Sequence, residues 1–117
     1  MTIFISGPIT GNKEYETDFR LGEMVLEREG HKSINPADMP EGLTRADYMR
    51  VSLAQVEAAD AILMLPGYEN SGGAMIEKQY AEYLGKRVFF LNLGTVIHPD
   101  DNETILGPIT MKEEIEF

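Results

Sequence analysis

The chain has 117 residues, with 20 acidic side chains against 10 basic ones and a formal charge of −10. This length supports one hydrophobic core, so a single domain over residues 1–117 is expected, and the acidic balance argues against a nucleic-acid polymer or an anionic membrane as partner. The absence of cysteine excludes disulfides, a thiolate zinc site and a thiol nucleophile, and the apolar runs, all well short of ~20 residues and without a basic flank at the start, give neither a signal peptide nor a membrane span, so a cytoplasmic protein is expected.

The first expected strand covers residues 2–6 and ends in the small, turn-forming loop Ser6-Gly7-Pro8-Ile9-Thr10-Gly11. A helix is expected from about 13 to 29, closed by Gly30, with Tyr15, Phe19 and Leu26 facing the sheet and Leu21 and Val25 beside them. A second strand at 31–34 leads into Asn35-Pro36-Ala37-Asp38. Thr44, three residues before Asp47, has the pattern of an N-terminal cap and starts a helix over 44–59. Ala61 to Leu65 is an apolar run bounded by Asp60 and Pro66-Gly67, as an interior strand of a parallel sheet would be. Helix formers occupy 74–85 up to Gly85, and the β-branched and aromatic residues of 87–92 form a fourth strand. Beyond it Gly94, Pro99, Asp100, Asp101 and Gly107 mark turns, and the end of the chain from Ile109 reads as a fifth strand or a closing helix. This alternation specifies an α/β fold, an open doubly wound parallel sheet of four or five strands with helices on both faces, flavodoxin-like, with strands 2–6 and 61–65 side by side at its centre.

The densest chemical signal is Asn70-Ser71-Gly72-Gly73-Ala74-Met75-Ile76-Glu77. A small-residue turn after an interior strand feeds a helix N-terminus, where unpaired N–H groups and the helix dipole favour an anion. Glu77 is placed in the first helical turn, where that field keeps a carboxylate ionised and suited to attack on a glycosyl bond. Glycine-rich turns with an acidic first turn also occur for packing reasons alone, and by itself this one reads as architecture. The loop at Ser6-Gly7-Pro8 shifts the balance, because loops at the carboxyl ends of adjacent strands converge on one crevice in a doubly wound sheet. Neither loop has the glycine spacing of a dinucleotide site or the lysine of a P-loop.

Ile3-Phe4-Ile5-Ser6-Gly7-Pro8-Ile9-Thr10-Gly11, Asn35-Pro36-Ala37, Ala46-Asp47-Tyr48-Met49-Arg50 and the run from Ala59 through Leu65-Pro66-Gly67-Tyr68-Glu69-Asn70-Ser71-Gly72-Gly73-Ala74 to Glu77 resemble a small bacterial and phage domain family of unassigned function. That family lies within the nucleoside 2-deoxyribosyltransferase-like superfamily, related to deoxynucleoside 5'-monophosphate N-glycosidases, and the resemblance covers about residues 3 to 92. It implies that Ser71 and Gly73 hold a phosphate or 5'-hydroxyl, that the Ser6-Gly7-Pro8 loop helps to bind the same end, and that Glu77 attacks the anomeric carbon. It also implies a homo-oligomer, a small nucleoside or nucleotide as partner, and chemistry that needs no metal or organic cofactor. Two positions depart from the pattern. Phe4 stands where active members carry a tyrosine, and Ser52, eight residues before Asp60, stands where they carry an aspartate. A serine hydroxyl is too weak an acid to replace that carboxyl group. Two functions follow: an N-glycosyl hydrolase or deoxyribosyltransferase with a glutamate nucleophile, or a nucleotide-binding protein that keeps the pocket without efficient chemistry.

Other residues have simpler readings. His31 and His98 are isolated and read as surface or partly packed side chains. Asp38 either meets a ligand or caps its own backbone, Asp60 reads as a helix-to-strand connector, and Tyr68 either stacks on a base or covers an apolar rim. The methionines read as core filler and the acidic tail as a solvated face.

Overall fold

The structure is a computed structural model that describes residues 1–92, 95–97, 104–106 and 110–113. Its elements run β1 (Thr2–Ser6), α1 (Tyr15–Arg28), β2 (Lys32–Ile34), α2 (Arg45–Ala58), β3 (Ala61–Met64), α3 (Gly72–Tyr83), β4 (Arg87–Asn92), β5 (Thr95–Ile97), β6 (Thr104–Leu106) and β7 (Thr110–Glu113). Five strands form one sheet in the order β2-β1-β3-β4-β7, while β5 and β6 pair antiparallel apart from it.

The four expected strands are parallel, and β1 lies between β2 and β3 with Ile3 opposite Ala61 and Ser6 opposite Met64. The fifth departs from the expected all-parallel sheet: β7 runs antiparallel to β4, with Phe89 opposite Glu113. A parallel partner needs a long crossover, usually a helix. The described residues between β4 and β7 form only the β5–β6 pair.

Strand alternation divides the core in two. Ile3, Ile5, Leu63, Phe89 and Leu91 pack with Phe19, Val25 and Leu26 of α1 on one face. Phe4, Ile62, Met64 and Val88 pack with Val56 of α2 and Ala74 and Ala81 of α3 on the other. The period of two therefore points Ser6, like Phe4, toward α2 and α3. Met64 belongs to that core, but Met24 is 60% exposed, so the methionines are not uniformly core filler. Among the described residues no helix is long and apolar enough to cross a membrane.

The Thr44 cap forms as expected, and Ser71 caps α3 as well. The Thr44 hydroxyl accepts from the Asp47 N–H at 3.1 Å and the Ser71 hydroxyl from the Ala74 N–H at 3.2 Å, each satisfying a donor that a helix start leaves without a partner. Asp60 connects as expected, its carboxylate accepting from the Thr2 N–H at 2.8 Å.

Candidate functional site

The chain leaves β1 toward β2 on one side and later takes up β3 on the other, so the sheet changes direction between β1 and β3. At such a point the loops beyond the carboxyl ends of the strands part and leave a crevice. Here the crevice is a cavity of about 960 Å³. Gly7 and Pro8 from the loop after β1, Tyr48 and Met49 of α2, and the start of α3 are among its walls. Gly7 is required by close approach: a Cβ there would lie 2.8 Å from Leu65 Cβ, well inside contact distance. Gly67 holds φ at +85° and turns the chain away from β3 toward Ser71.

Glu77 lines the cavity while being only 2% exposed. The Ser6 hydroxyl donates to its Oε1 at 2.7 Å, a contact set by the strand alternation that aims Ser6 at α3. Oε2 is buried and without a hydrogen bond. The Ser52 hydroxyl is near enough to favour the charged carboxylate, but its own hydrogen bond goes to the Met49 carbonyl at 3.3 Å. Burial outweighs both hydroxyls and pushes the Glu77 carboxyl up to about 7.

This corrects the expectation of a fully ionised first-turn glutamate. The helix starts at Gly72, two residues earlier than its helix formers suggested, which puts Glu77 in the second turn. The dipole fades within the first turn, so desolvation governs the group.

The Ser71 turn has a definite hydrogen-bond inventory. The Ser71 N–H donates to the Tyr68 carbonyl at 3.0 Å, the Ala74 N–H to the Ser71 hydroxyl, and the Met75 N–H to the Ser71 carbonyl at 3.0 Å. The Gly72 and Gly73 N–H groups have no partner among the described residues. The first turn of α3 carries no acidic residue, so nothing there offsets the positive end of the helix.

Among the expected site residues, Gly7, Pro8, Ser71, Gly73 and Glu77 line the cavity. Phe4, Ser6 and Ser52 are fully buried behind it: Phe4 packs in the core under α2 and α3, Ser6 holds Glu77, and Ser52 stands beside it. Tyr48, not singled out from the sequence, also lines the cavity. Its phenol is pushed upward by burial and then by the charge of Glu77. The usable signal was its spacing: Tyr48 and Ser52 are four residues apart and share one face of α2.

Other candidates resolve into structural roles. The Tyr68 ring meets Phe90 with centroids 5.5 Å apart, covering the apolar edge. Asn35, not Asp38, caps the short turn there, accepting from the Ala37 N–H at 2.9 Å. His31 Nδ1 lies 3.1 Å from the N-terminal amine. His98 and the tail beyond Glu113 lie outside the described residues.

Residues 1–90 match the family described as a domain of unknown function, DUF4406, and the chain belongs to that family. No curated protein sequence matches the chain. Solved structures do. A 2-deoxyribosyltransferase from Bacillus psychrosaccharolyticus is 24% identical with a TM-score of 0.60, over 75% of this chain and 69% of that one. A 2-deoxyribosyltransferase from Leishmania mexicana is 19% identical with a TM-score of 0.62, over 89% and 77%. A CMP N-glycosidase from Clostridium botulinum is 19% identical with a TM-score of 0.55, over 75% and 66%. At these identities the likeness is one of fold.

Proposed function

We propose that this member of the DUF4406 family is an N-glycosyl enzyme acting on a nucleoside or nucleoside 5'-monophosphate, with Glu77 as nucleophile. The observation that carries the reading is a buried carboxylate at a large cavity, held through Oε1 by Ser6 and with Oε2 unpartnered. A carboxyl near 7 is ionised in a substantial fraction of molecules at neutral pH, and its weak solvation leaves it reactive. The activities named for its structural neighbours, 2-deoxyribosyl transfer and cleavage of a CMP N-glycoside, make nucleosides the substrate class that fits such a group.

In this mechanism the 5' end rests on the Gly72 and Gly73 N–H groups at the start of α3, and Ser71 fixes their direction by capping the helix. A carboxylate oxygen of Glu77 attacks C1' as the N-glycosidic bond breaks. The bonding electrons leave with the base, which takes up a proton from solvent water. Water then attacks C1', returns the carboxylate and releases the sugar, or the nitrogen of a second base attacks and completes transfer. Because Glu77 is only 2% exposed, approach of C1' requires the cavity wall to shift.

The test incubates the protein with a panel of nucleosides and 5'-monophosphates and separates released base by chromatography, alongside Glu77→Gln. Base release by the wild type, reduced to background in the variant, is the expected result. Tight nucleotide binding without release from any of them defeats the enzyme reading and leaves a nucleotide-binding protein, the reading that the buried, hydroxyl-free Phe4 favours.

A further inference from the structure

Two polar atoms without a hydrogen-bond partner among the described residues belong to side chains that line one cavity, one on α2 and one on α3. One is Glu77 Oε2, buried and without a hydrogen bond. The other is the Tyr48 hydroxyl, on a half-buried side chain, which has no hydrogen-bond partner among the described residues. Both residues line the same cavity, and the helices carrying them pack against each other on one face of the sheet. Their nearness has an electrostatic signature, since the Glu77 charge holds the Tyr48 phenol above its ordinary range in addition to burial.

Position on α2 adds a geometric argument. Ser52, one turn after Tyr48, already stands beside Glu77, so the Tyr48 side chain projects from the same helical face toward the cavity side of the carboxylate. The Ser52 hydroxyl, which stands near Glu77, has one proton to give and directs it to the Met49 carbonyl at 3.3 Å. Phe4 has no donor to offer. The remaining charged or titratable groups on the cavity wall are Tyr15, Glu41 and Arg45. A phenol has one O–H to give and a long reach, which matches one empty acceptor at a helix–helix seam.

We propose that Tyr48 is the positioning residue of Glu77, its hydroxyl donating to Oε2 when the carboxylate ionises while Ser6 holds Oε1. This carries the reading of Glu77 as the reacting group one step further. With one donor on each oxygen the carboxylate plane is fixed, and the Tyr48 side is the side from which a substrate enters. Tyr48 thereby stabilises the ionised form and sets the direction in which Glu77 presents its oxygen.

The experiment labels glutamate side-chain carboxyl carbons in the full chain and follows their titration by NMR, with Glu77→Gln identifying the Glu77 signal. Ser6→Ala removes the donor seen in the structure and sets the scale. Tyr48→Phe is expected to raise the Glu77 midpoint as Ser6→Ala does, by about half a pH unit or more, because each removes a donor to the charged form. A Tyr48→Phe midpoint equal to the wild type's, with Ser6→Ala displaced, overturns the proposal. If Tyr48→Phe does not fold, the coupling is read in reverse. The Tyr48 ring carbon bearing oxygen is followed in the wild type over about pH 5 to 9, where a shift tracking the Glu77 midpoint and absent in Glu77→Gln is expected, and a flat response contradicts the pairing. These readouts need no turnover. A displaced midpoint in a protein that releases no base upholds Tyr48 while removing the enzyme reading. Where base is released, Tyr48→Phe is expected to lower kcat about tenfold with KM little changed, and its pH profile to move up with the midpoint.

Discussion

Glu77 combines a strong desolvation cost with one retained hydrogen bond, and that balance has measurable consequences. A shift from 4.5 to about 7 corresponds to roughly 3 kcal/mol between its two protonation states. The folded-state value is raised, so the stability tied to the neutral acid is fully present below about pH 4.5 and lost as pH rises through about 7. Glu77→Gln is neutral at every pH and is expected to be more stable than the wild type at pH 8, by up to about 3 kcal/mol, with the advantage shrinking toward pH 4.5. Paired thermal melts across that range check it, and a variant less stable at pH 8 contradicts the assigned environment. Catalysis has the opposite demand. A carboxylate nucleophile must be ionised, so kcat/KM in the free enzyme is expected to rise with pH through about 7 and level off above it.

The start of α3 separates an architectural role from a binding one. Ser71→Ala removes the cap and is expected to cost about 1 kcal/mol, whereas Ser71→Gly costs only a few tenths. If the Ser71 side chain does nothing but cap, Ser71→Gly keeps nucleotide affinity. If it also touches the 5' end, Ser71→Gly keeps the melting temperature and weakens nucleotide binding, which calorimetry distinguishes. The Gly72 and Gly73 N–H groups imply tighter binding of a 5'-monophosphate than of its nucleoside, and equal affinities limit the turn to a hydroxyl contact. The sequence carried this element incompletely for a physical reason. Glycine is a poor helix former, so the expected helix began after the Gly72-Gly73 pair, but the Ser71 cap draws both glycines into the first turn and moves Glu77 to the second. On α2 the Thr44 cap was legible, while Tyr48 was not, because its spacing from Ser52 gains meaning only once α3 puts Glu77 beside that face.

At the scale of the whole molecule, the short apolar runs of β1, β3 and β4, alternating with helices, made the sheet and its central β1–β3 pair legible, and with them the crevice. The contact between Ser6 and Glu77 spans 71 residues and required the actual packing of α3 on the sheet. The end of the chain was hardest to read, since hairpin turns and a short edge strand carry little periodicity, and the antiparallel β7 emerged only from its pairing with β4. Gly7 ties this topology to the site: Gly7→Ala is expected to displace Leu65 and the loop after β1, lowering both thermal stability and ligand affinity. On the proposed function, the crevice of this sheet presents Glu77 as a nucleophile. The most direct measurement of this role is intact-protein and peptide mass spectrometry of enzyme quenched during turnover of the nucleotide whose base is released. A pentosyl adduct is expected on the peptide carrying Glu77, absent in Glu77→Gln, which releases no base. Undiminished base release by Glu77→Gln, or an adduct on another residue, contradicts it.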